Sequence, residues 1–391
     1  MKILITDIHH GNGGGHATYI MSLLRGLPGH YDITVAAPAS GRLFRYASHA
    51  GRGRVMPALY SSRIASLAQE VVRLRAFLVR ERYDLVHVNA SADHRHVMLA
   101  SMGLRRPPKI VWTKHNLKPV ASVGHRLRAN LGTDAVIAVS DYVKRMLEDS
   151  VYGARPIHVV RHGIDVAAFR PVDPDEKRRL RRLLLGDIPD DTLVLGSTAG
   201  TDLEKGWLDL AAAVAGLSPL EQSRIVVVVA GDPPPAHLLR RLADTGIRAR
   251  VHFTGLVDDI RGVLGASDIG FVLSYSESLS YACRESLACG LPTLITDVGG
   301  LPENLSHGRE GWIVPVRNVP AIQAVLRDVL SNPQRVLPMG LAARRHSERD
   351  FCPHAFIERT IAVYESVRSA PSAAALYNKA HDPYTHVPPS R

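Results

Sequence analysis

The sequence predicts an α/β fold of two doubly wound domains, each a parallel sheet with helices on both faces. Three observations carry this. Short apolar runs alternate with segments of helical apolar spacing from the first residue onward. Several runs, such as Ile225–Ala230, are apolar throughout, as strands buried on both faces are. A chain of 391 residues can bury two cores, and no internal repeat divides it otherwise.

In the first half, Ile3–Thr6 and Ile33–Ala37 read as strands. Leu67–Val79 repeats apolar residues at helical spacing, and Leu85–Val88, Ile110–Thr113 and Ala135–Val139 are further strands. Ser140 is placed to cap a helix starting near Asp141. The loop Gly11-Asn12-Gly13-Gly14-Gly15-His16 separates the first strand from a helix. It makes a poor dinucleotide fingerprint, because His16 stands where the last small residue belongs and no acid ends the second strand. A Walker loop is excluded, since no Gly-Lys-Ser/Thr follows. Thr113-Lys114-His115-Asn116 ends a strand at the same sheet edge, where ligands of such folds bind. The pairs His9–His10 and His94–His96 do not share a helix face, and no cysteine or carboxylate set surrounds them, so no metal is expected. Pro171 and Pro174 mark a linker before a solvated charged helix, Asp175–Arg182.

In the second half Leu193–Ser197 is a strand, and Glu204-Lys205-Gly206 opens the helix after it. The strand Ile269–Leu273 runs into Ser274-Tyr275-Ser276-Glu277-Ser278-Leu279-Ser280, and Gly290 and Pro292 stop the next helix, about Leu279–Cys289. Glu277 therefore sits in the loop at the strand's carboxyl end, with Glu285 two turns further on. A strand from Pro292 to Thr296 leads to Asp297-Val298-Gly299-Gly300-Leu301-Pro302-Glu303, whose paired glycines let backbone N–H groups approach an anion. Trp312 and Val314 belong to a later strand and to the core. Phe356–Val367 has helical spacing, and the tail beyond Pro371 has the composition of a weakly ordered segment.

Two glutamates eight apart are, on charge alone, an ordinary solvated helix face. Their setting is more specific. Glu277, seven residues, Glu285, then Gly290-Leu291-Pro292 and Gly299-Gly300-x-x-Glu303 resemble the signature of the retaining glycosyltransferases of family 4, also called group 1. Ser278 stands where that family usually has glycine. The resemblance implies the GT-B architecture, two Rossmann-like doubly wound domains facing a central cleft. It divides the chain into an acceptor-binding domain at 1–165, a nucleotide-sugar-binding domain at 166–352, a helix at 353–370 crossing back to the first domain, and the tail at 371–391. Val159–Asp165 resembles the family's domain-joining segment, with His162 in place of the usual Asn.

The same resemblance implies site residues. Gly14 and Gly15 match the glycine-rich loop facing the cleft, and His115 matches a histidine that contacts the transferred sugar. Lys205 matches a lysine that clamps the donor diphosphate. Its usual arginine partner falls at Gly200, where Gly200 and Thr201 offer N–H and hydroxyl donors instead. Gly255 and Leu256 belong to a segment whose backbone reads the base. Glu277, Ser278, Leu279 and Ser280 line the donor, Glu285 takes the ribose hydroxyls, and Gly299 and Gly300 meet the diphosphate. His115, Glu277 and Lys205 are the catalytic candidates.

Charge adds one expectation. Residues 1–170 hold 24 Lys+Arg against 11 Asp+Glu, whereas residues 171–391 hold 24 against 26. A basic first half suits an anionic partner, and a membrane surface is favoured over nucleic acid because no nucleic-acid-binding motif accompanies the charge. Arg42, Arg45, Arg52, Arg54, Arg73, Arg75, Arg80 and Arg82 are the candidates, with Leu43 and Tyr46 placed for shallow insertion. Three cysteines, no long apolar run and no leader at the start read as a cytoplasmic, peripheral protein. The expected activity is transfer from a nucleotide diphosphate sugar, UDP first, to a hydroxyl of a membrane-associated glycolipid such as a lipopolysaccharide intermediate, without metal or other cofactor. A GT-B nucleotide-sugar epimerase and a non-enzymatic sugar-nucleotide or polyanion binder are the alternatives.

Overall fold

Seven parallel strands build the first sheet: β1 (Lys2–Thr6), β2 (Asp32–Ala37), β3 (Arg54–Pro57), β4 (Leu85–Val88), β5 (Lys109–Lys114), β6 (Ala135–Ala138) and β7 (Ile157–Val159). The computed structural model describes residues 1–11 and 14–369; the tail expected at 371–391 lies outside them. Strand order is β3-β2-β1-β4-β5-β6-β7, with Ile3 paired to both Ile33 and Leu85. The order reverses between β1 and β4, so the loops leaving those strands diverge and open a crevice at the sheet's carboxyl edge. Ile3, Leu4 and Ile5 are fully buried, as a central strand covered on both faces requires.

The second sheet has six parallel strands: β8 (Leu193–Ser197), β9 (Ile225–Val229), β10 (Arg250–Phe253), β11 (Ile269–Val272), β12 (Thr293–Thr296) and β13 (Gly311–Val314). Its order is β10-β9-β8-β11-β12-β13, with the reversal between β8 and β11. On one face Trp207, Leu210 and Val214 pack with Ile225, Val227, Trp312 and Val314. On the other, Val272 and Ile295 pack with Cys283, Leu287, Leu301 and Phe351. Each of these side chains contributes roughly 1.5–3 kcal/mol by leaving water, so the cores anchor the strand ends that carry the loops.

The chain forms two compact units, Met1–His162 together with the segment from Pro353, and Gly163–Cys352. The helix Pro353–Arg368 belongs to the first unit. There Tyr364 Oη lies 2.6 Å from His87 Nδ1, and Phe356 packs edge-on against Tyr19.

Candidate active site

In the second unit, the loops after β8 and β11 flank the point where strand order reverses. Tyr275 N–H donates to the Glu204 carbonyl at 2.8 Å and ties them together. Lys205 ends a short 3₁₀ turn, Leu203–Lys205, and Gly206 then turns the chain into the helix Trp207–Ala215. Only glycine fits there: φ is +70°, and a Cβ would meet the Leu273 carbonyl oxygen at 1.9 Å. This close approach brings Lys205 beside Glu277, with Nζ 3.3 Å from Oε2. Ser274 Oγ donates to the same carboxylate oxygen at 3.4 Å, although sequence reasoning did not single it out.

Ser280 caps the helix Tyr281–Ala288, accepting the Cys283 N–H at 3.3 Å. Its φ of +86° is a conformation costing a non-glycine residue about 1–3 kcal/mol, such as clusters at binding sites. Ser278 and Leu279 lie in the loop before it, Leu279 fully buried. Glu285 stands in the helix with 8% of its surface exposed, a burial that the eight-residue spacing alone would not forecast.

Two expectations change here. The Gly300 N–H, expected to meet an anion, donates to the Glu277 carbonyl at 3.0 Å; it holds the Glu277 loop instead. Gly299, at φ +59°, makes the turn before it. The Thr201 hydroxyl, expected to help replace the missing arginine, donates to the Asp232 carbonyl. The hydroxyl available is that of Thr198, whose buried Oγ1 has no hydrogen-bond partner among the described residues. Gly200, at φ +102° with open space before its Cα, lines the same turn. The Gly255 carbonyl accepts the Gly231 N–H at 3.2 Å, which sets the loop after β10 beside the end of β9, with Leu256 exposed.

The first unit presents a second cluster at its own carboxyl edge. Gly14 and Gly15 lead into the helix Gly15–Gly26, and His16 sits in its first turn. The His16 ring packs 4.3 Å from that of His115, which follows β5, and Tyr19 meets His115 edge-on at 4.7 Å. His115 Nε2 is 2.9 Å from Asn89 Oδ1. Burial, reinforced by the neighbouring His16 and His87, holds the His115 imidazole neutral with a pKa far below the usual histidine range. Burial likewise lowers His16 to about 4. Asn89 escaped the sequence reading because nothing local to it signals chemistry; it reaches His115 only through the pairing of β4 with β5.

The histidine pairs also differ from expectation. His94 Nε2 bonds the Gly132 carbonyl and His96 Nε2 lies 2.9 Å from Glu70, both as buried structural groups. His10 turns to Ser40, but His9 does have a carboxylate: Asp7 Oδ1 is 2.6 Å away and raises its pKa by hydrogen bonding. Contrary to the sequence expectation, a carboxylate does accompany these histidines, because the fold turns Asp7 and His16 toward His9.

The basic surface shrinks as well. Leu43 is buried and cannot insert into a bilayer. Arg52 and Arg75 donate to backbone carbonyls and Arg54 pairs with Glu81, while Arg80 bonds Glu81 yet stays 71% exposed. Arg42 lies over the Tyr46 ring and Arg45 bonds the Ser40 carbonyl. On the helix Ile64–Glu81 the outward rows carry Arg73 and Arg80 beside Val72 and Val79, 66% and 56% exposed, with Ile64 at 85%. Among the described residues no helix is long and apolar enough to cross a membrane.

Comparison with known proteins shows the family. Residues 13–168 match the model for Glycosyltransferase Family 4, and residues 186–346 that for Glycosyl transferases group 1. D-inositol 3-phosphate glycosyltransferase 2 of Catenulispora acidiphila is 29% identical over 285 residues, 70% of this chain and 64% of that protein. A GDP-mannose-dependent alpha-(1-6)-phosphatidylinositol monomannoside mannosyltransferase of Mycolicibacterium smegmatis is 25% identical over 366 residues, 88% of this chain and 92% of that one. The match spans 58% to 64% of the length of the first four curated relatives. Among solved structures, HepE of Anabaena in complex with UDP superposes with a TM-score of 0.79 at 20% identity, covering 94% of this chain and 100% of that one. Matched by these models in both halves and carrying their signature on a GT-B fold, the chain belongs to the family 4, group 1 glycosyltransferases.

Proposed function

We propose that this protein is a retaining glycosyltransferase that moves a sugar from a nucleotide diphosphate sugar, UDP first, to a hydroxyl of an anionic, membrane-associated glycolipid. The observation that carries it is the Lys205–Glu277 pair at the carboxyl edge of the second sheet, where strand order reverses. In this reading the Gly163–Cys352 unit holds the donor and the other unit takes the acceptor. The Lys205 ammonium stabilises the diphosphate as it leaves, and its ion pair with Glu277 aims it before the donor arrives. Glu277 and His115 contact the donor sugar, Glu285 accepts from the ribose hydroxyls, and the Thr198 hydroxyl with the Gly200 turn takes part of the role of the absent arginine. The acceptor attacks from the face the diphosphate leaves, so no protein nucleophile is needed, and no step of the transfer calls on a metal.

UDP as the donor's nucleotide is supported by the HepE complexes with UDP and UDP-glucose. The mannosyltransferase relative is GDP-mannose-dependent, which makes GDP the rival. For the acceptor, the exposed Arg73 and Arg80 beside Val72 and Val79 suit an anionic bilayer carrying a lipopolysaccharide-type intermediate. The inositol-phosphate relatives favour a second reading, a small phosphorylated polyol.

The test incubates the purified full chain with UDP- and GDP-sugars, each with a lipid-linked saccharide or an inositol phosphate, and follows nucleoside diphosphate release and product mass. A glycosylated acceptor of retained anomeric configuration is expected. Isomerised donor with no acceptor product would identify an epimerase, and binding without turnover a sugar-nucleotide binder.

A further inference from the structure

We infer that Asp7, His9 and His16 form a binding site for one borderline divalent cation of the zinc class. The three ligand atoms all lie within 4.8 Å of one another. His9 Nδ1 is 2.6 Å and His16 Nδ1 3.8 Å from Asp7 Oδ1. Zinc bound at roughly 2.0–2.1 Å from imidazole nitrogen and carboxylate oxygen sets neighbouring tetrahedral ligands about 3.3 Å apart. The present spacings bracket that value, so small side-chain rotations suffice.

Two further features point to a ligand. The His16 Nδ1 is buried and has no hydrogen-bond partner among the described residues, a state that costs free energy unless something occupies it. The Asp7 carboxylate is only 1% exposed, so a cation seated there meets an anion already stripped of most of its water. Two imidazoles and one carboxylate select zinc, nickel, cobalt or copper over magnesium and calcium, which prefer oxygen. Three protein ligands leave a fourth position for water or an exchangeable group.

The backbone explains why the three converge. Asp7 follows the last residue of β1, and its N–H is held by the Ala36 carbonyl at 3.0 Å. His16 lies in the first turn of the helix that packs back over the sheet, and its ring lies tilted against those of His9, at 4.1 Å, and His115, at 4.3 Å. A bound cation would lock the β1 loop to that helix. The inference does not depend on the transferase reading, since its ligands and its readout involve the first unit alone.

The full chain, freed of metal by a chelator, is titrated with Co²⁺ while visible absorption is recorded, then with Zn²⁺ in competition. One saturable equivalent with a ligand-field band displaced by Zn²⁺ is expected. His16→Ala and His9→Ala should each weaken binding at least tenfold, and His9, 44% exposed against 20% for His16, is the less disruptive change. His10→Ala should bind as the parent does, because His10 faces Ser40 instead. With 19 histidines in the chain, weak scattered binding is the natural competitor. Absence of a saturable equivalent, or equal loss in His10→Ala, overturns the site.

Discussion

His115 Nε2 lies 2.9 Å from Asn89 Oδ1, and the Asn89 amide nitrogen donates to the Thr6 carbonyl at 2.9 Å. The second bond decides the first: with its NH₂ committed to a carbonyl, Asn89 presents oxygen to His115, so Nε2 carries the proton and Nδ1 is the acceptor. A buried asparagine thus sets the tautomer of His115, the histidine proposed to contact the donor sugar. Asn89→Asp would put a carboxylate against Nε2, favour the imidazolium and raise the His115 pKa. The expected pH–rate profile gains an acid limb, with activity returning as pH rises, while Asn89→Leu lowers kcat up to about tenfold, the worth of one hydrogen bond. A His115 titration unchanged in Asn89→Asp would show that the contact does not position the ring.

In the proposed reaction Lys205 carries the leaving-group charge without an arginine partner. Lys205→Ala is expected to lower kcat about a hundredfold, as loss of a preorganised donor does, and full activity would place the phosphates elsewhere. Restoring arginine at Gly200 should not help, because an L side chain at φ +102° is strained by about 1–3 kcal/mol. Gly200→Arg is therefore expected to melt earlier without tighter nucleotide binding, read by calorimetry.

Glu285→Ala should weaken nucleoside diphosphate binding at least tenfold. Hydrogen bonds to a charged group contribute roughly 1.5–3 kcal/mol, and a ribose presents two hydroxyls side by side. Unchanged affinity by titration calorimetry removes this role.

His87 and His94 are both fully buried, and burial depresses each to a pKa of about 3. The unfolded chain takes up these protons as pH falls below about 6.5, and the folded chain does not. Stability is therefore intact above pH 6.5 and falls as pH drops from there toward 3, by up to about 1.4 kcal/mol per unit for each ring. Melting temperatures measured from pH 7 to pH 5 should decline; a flat profile would falsify the assignment.

Arg73 and Arg80 should bind anionic vesicles, each near the surface adding about 1 kcal/mol that salt screens. The Arg73→Glu/Arg80→Glu double variant is expected to stay in the supernatant with anionic liposomes at low salt. Equal sedimentation of parent and variant would show that the Ile64–Glu81 helix is not the contact.

What the sequence disclosed and what it hid follow one physical division. Runs such as Ile225–Val229 and Leu193–Ser197 are legible because burial on both faces demands unbroken apolar residues. The strands Arg54–Pro57 and Ile157–Val159 lie at opposite edges of their sheet, half-buried and short, and left no such mark. At the site, Lys205, Glu277 and Glu285 stand at motif spacings and could be picked out. Asn89 meets His115 through the pairing of β4 with β5, whereas the Ser274–Glu277 bond and the Asp7–His16 approach depend on the turns their loops take, which residue type alone does not encode. The Gly300 amide was misjudged for the same reason, since its acceptor lies 23 residues earlier, at Glu277.

The bond between His87 and Tyr364 has a consequence for biosynthesis. The unit that begins at Met1 is completed by a helix starting at Pro353, so the ribosome must deliver roughly 190 further residues after His162 before that unit can close. At about 5–20 residues per second this is roughly 10–40 s. Throughout that interval Tyr19 and His87 lack Phe356 and Tyr364, while the Gly163–Cys352 unit emerges whole and free to fold. The second domain in the sequence is thus placed to mature first, and the nascent first domain is the stretch on which chaperones should be found.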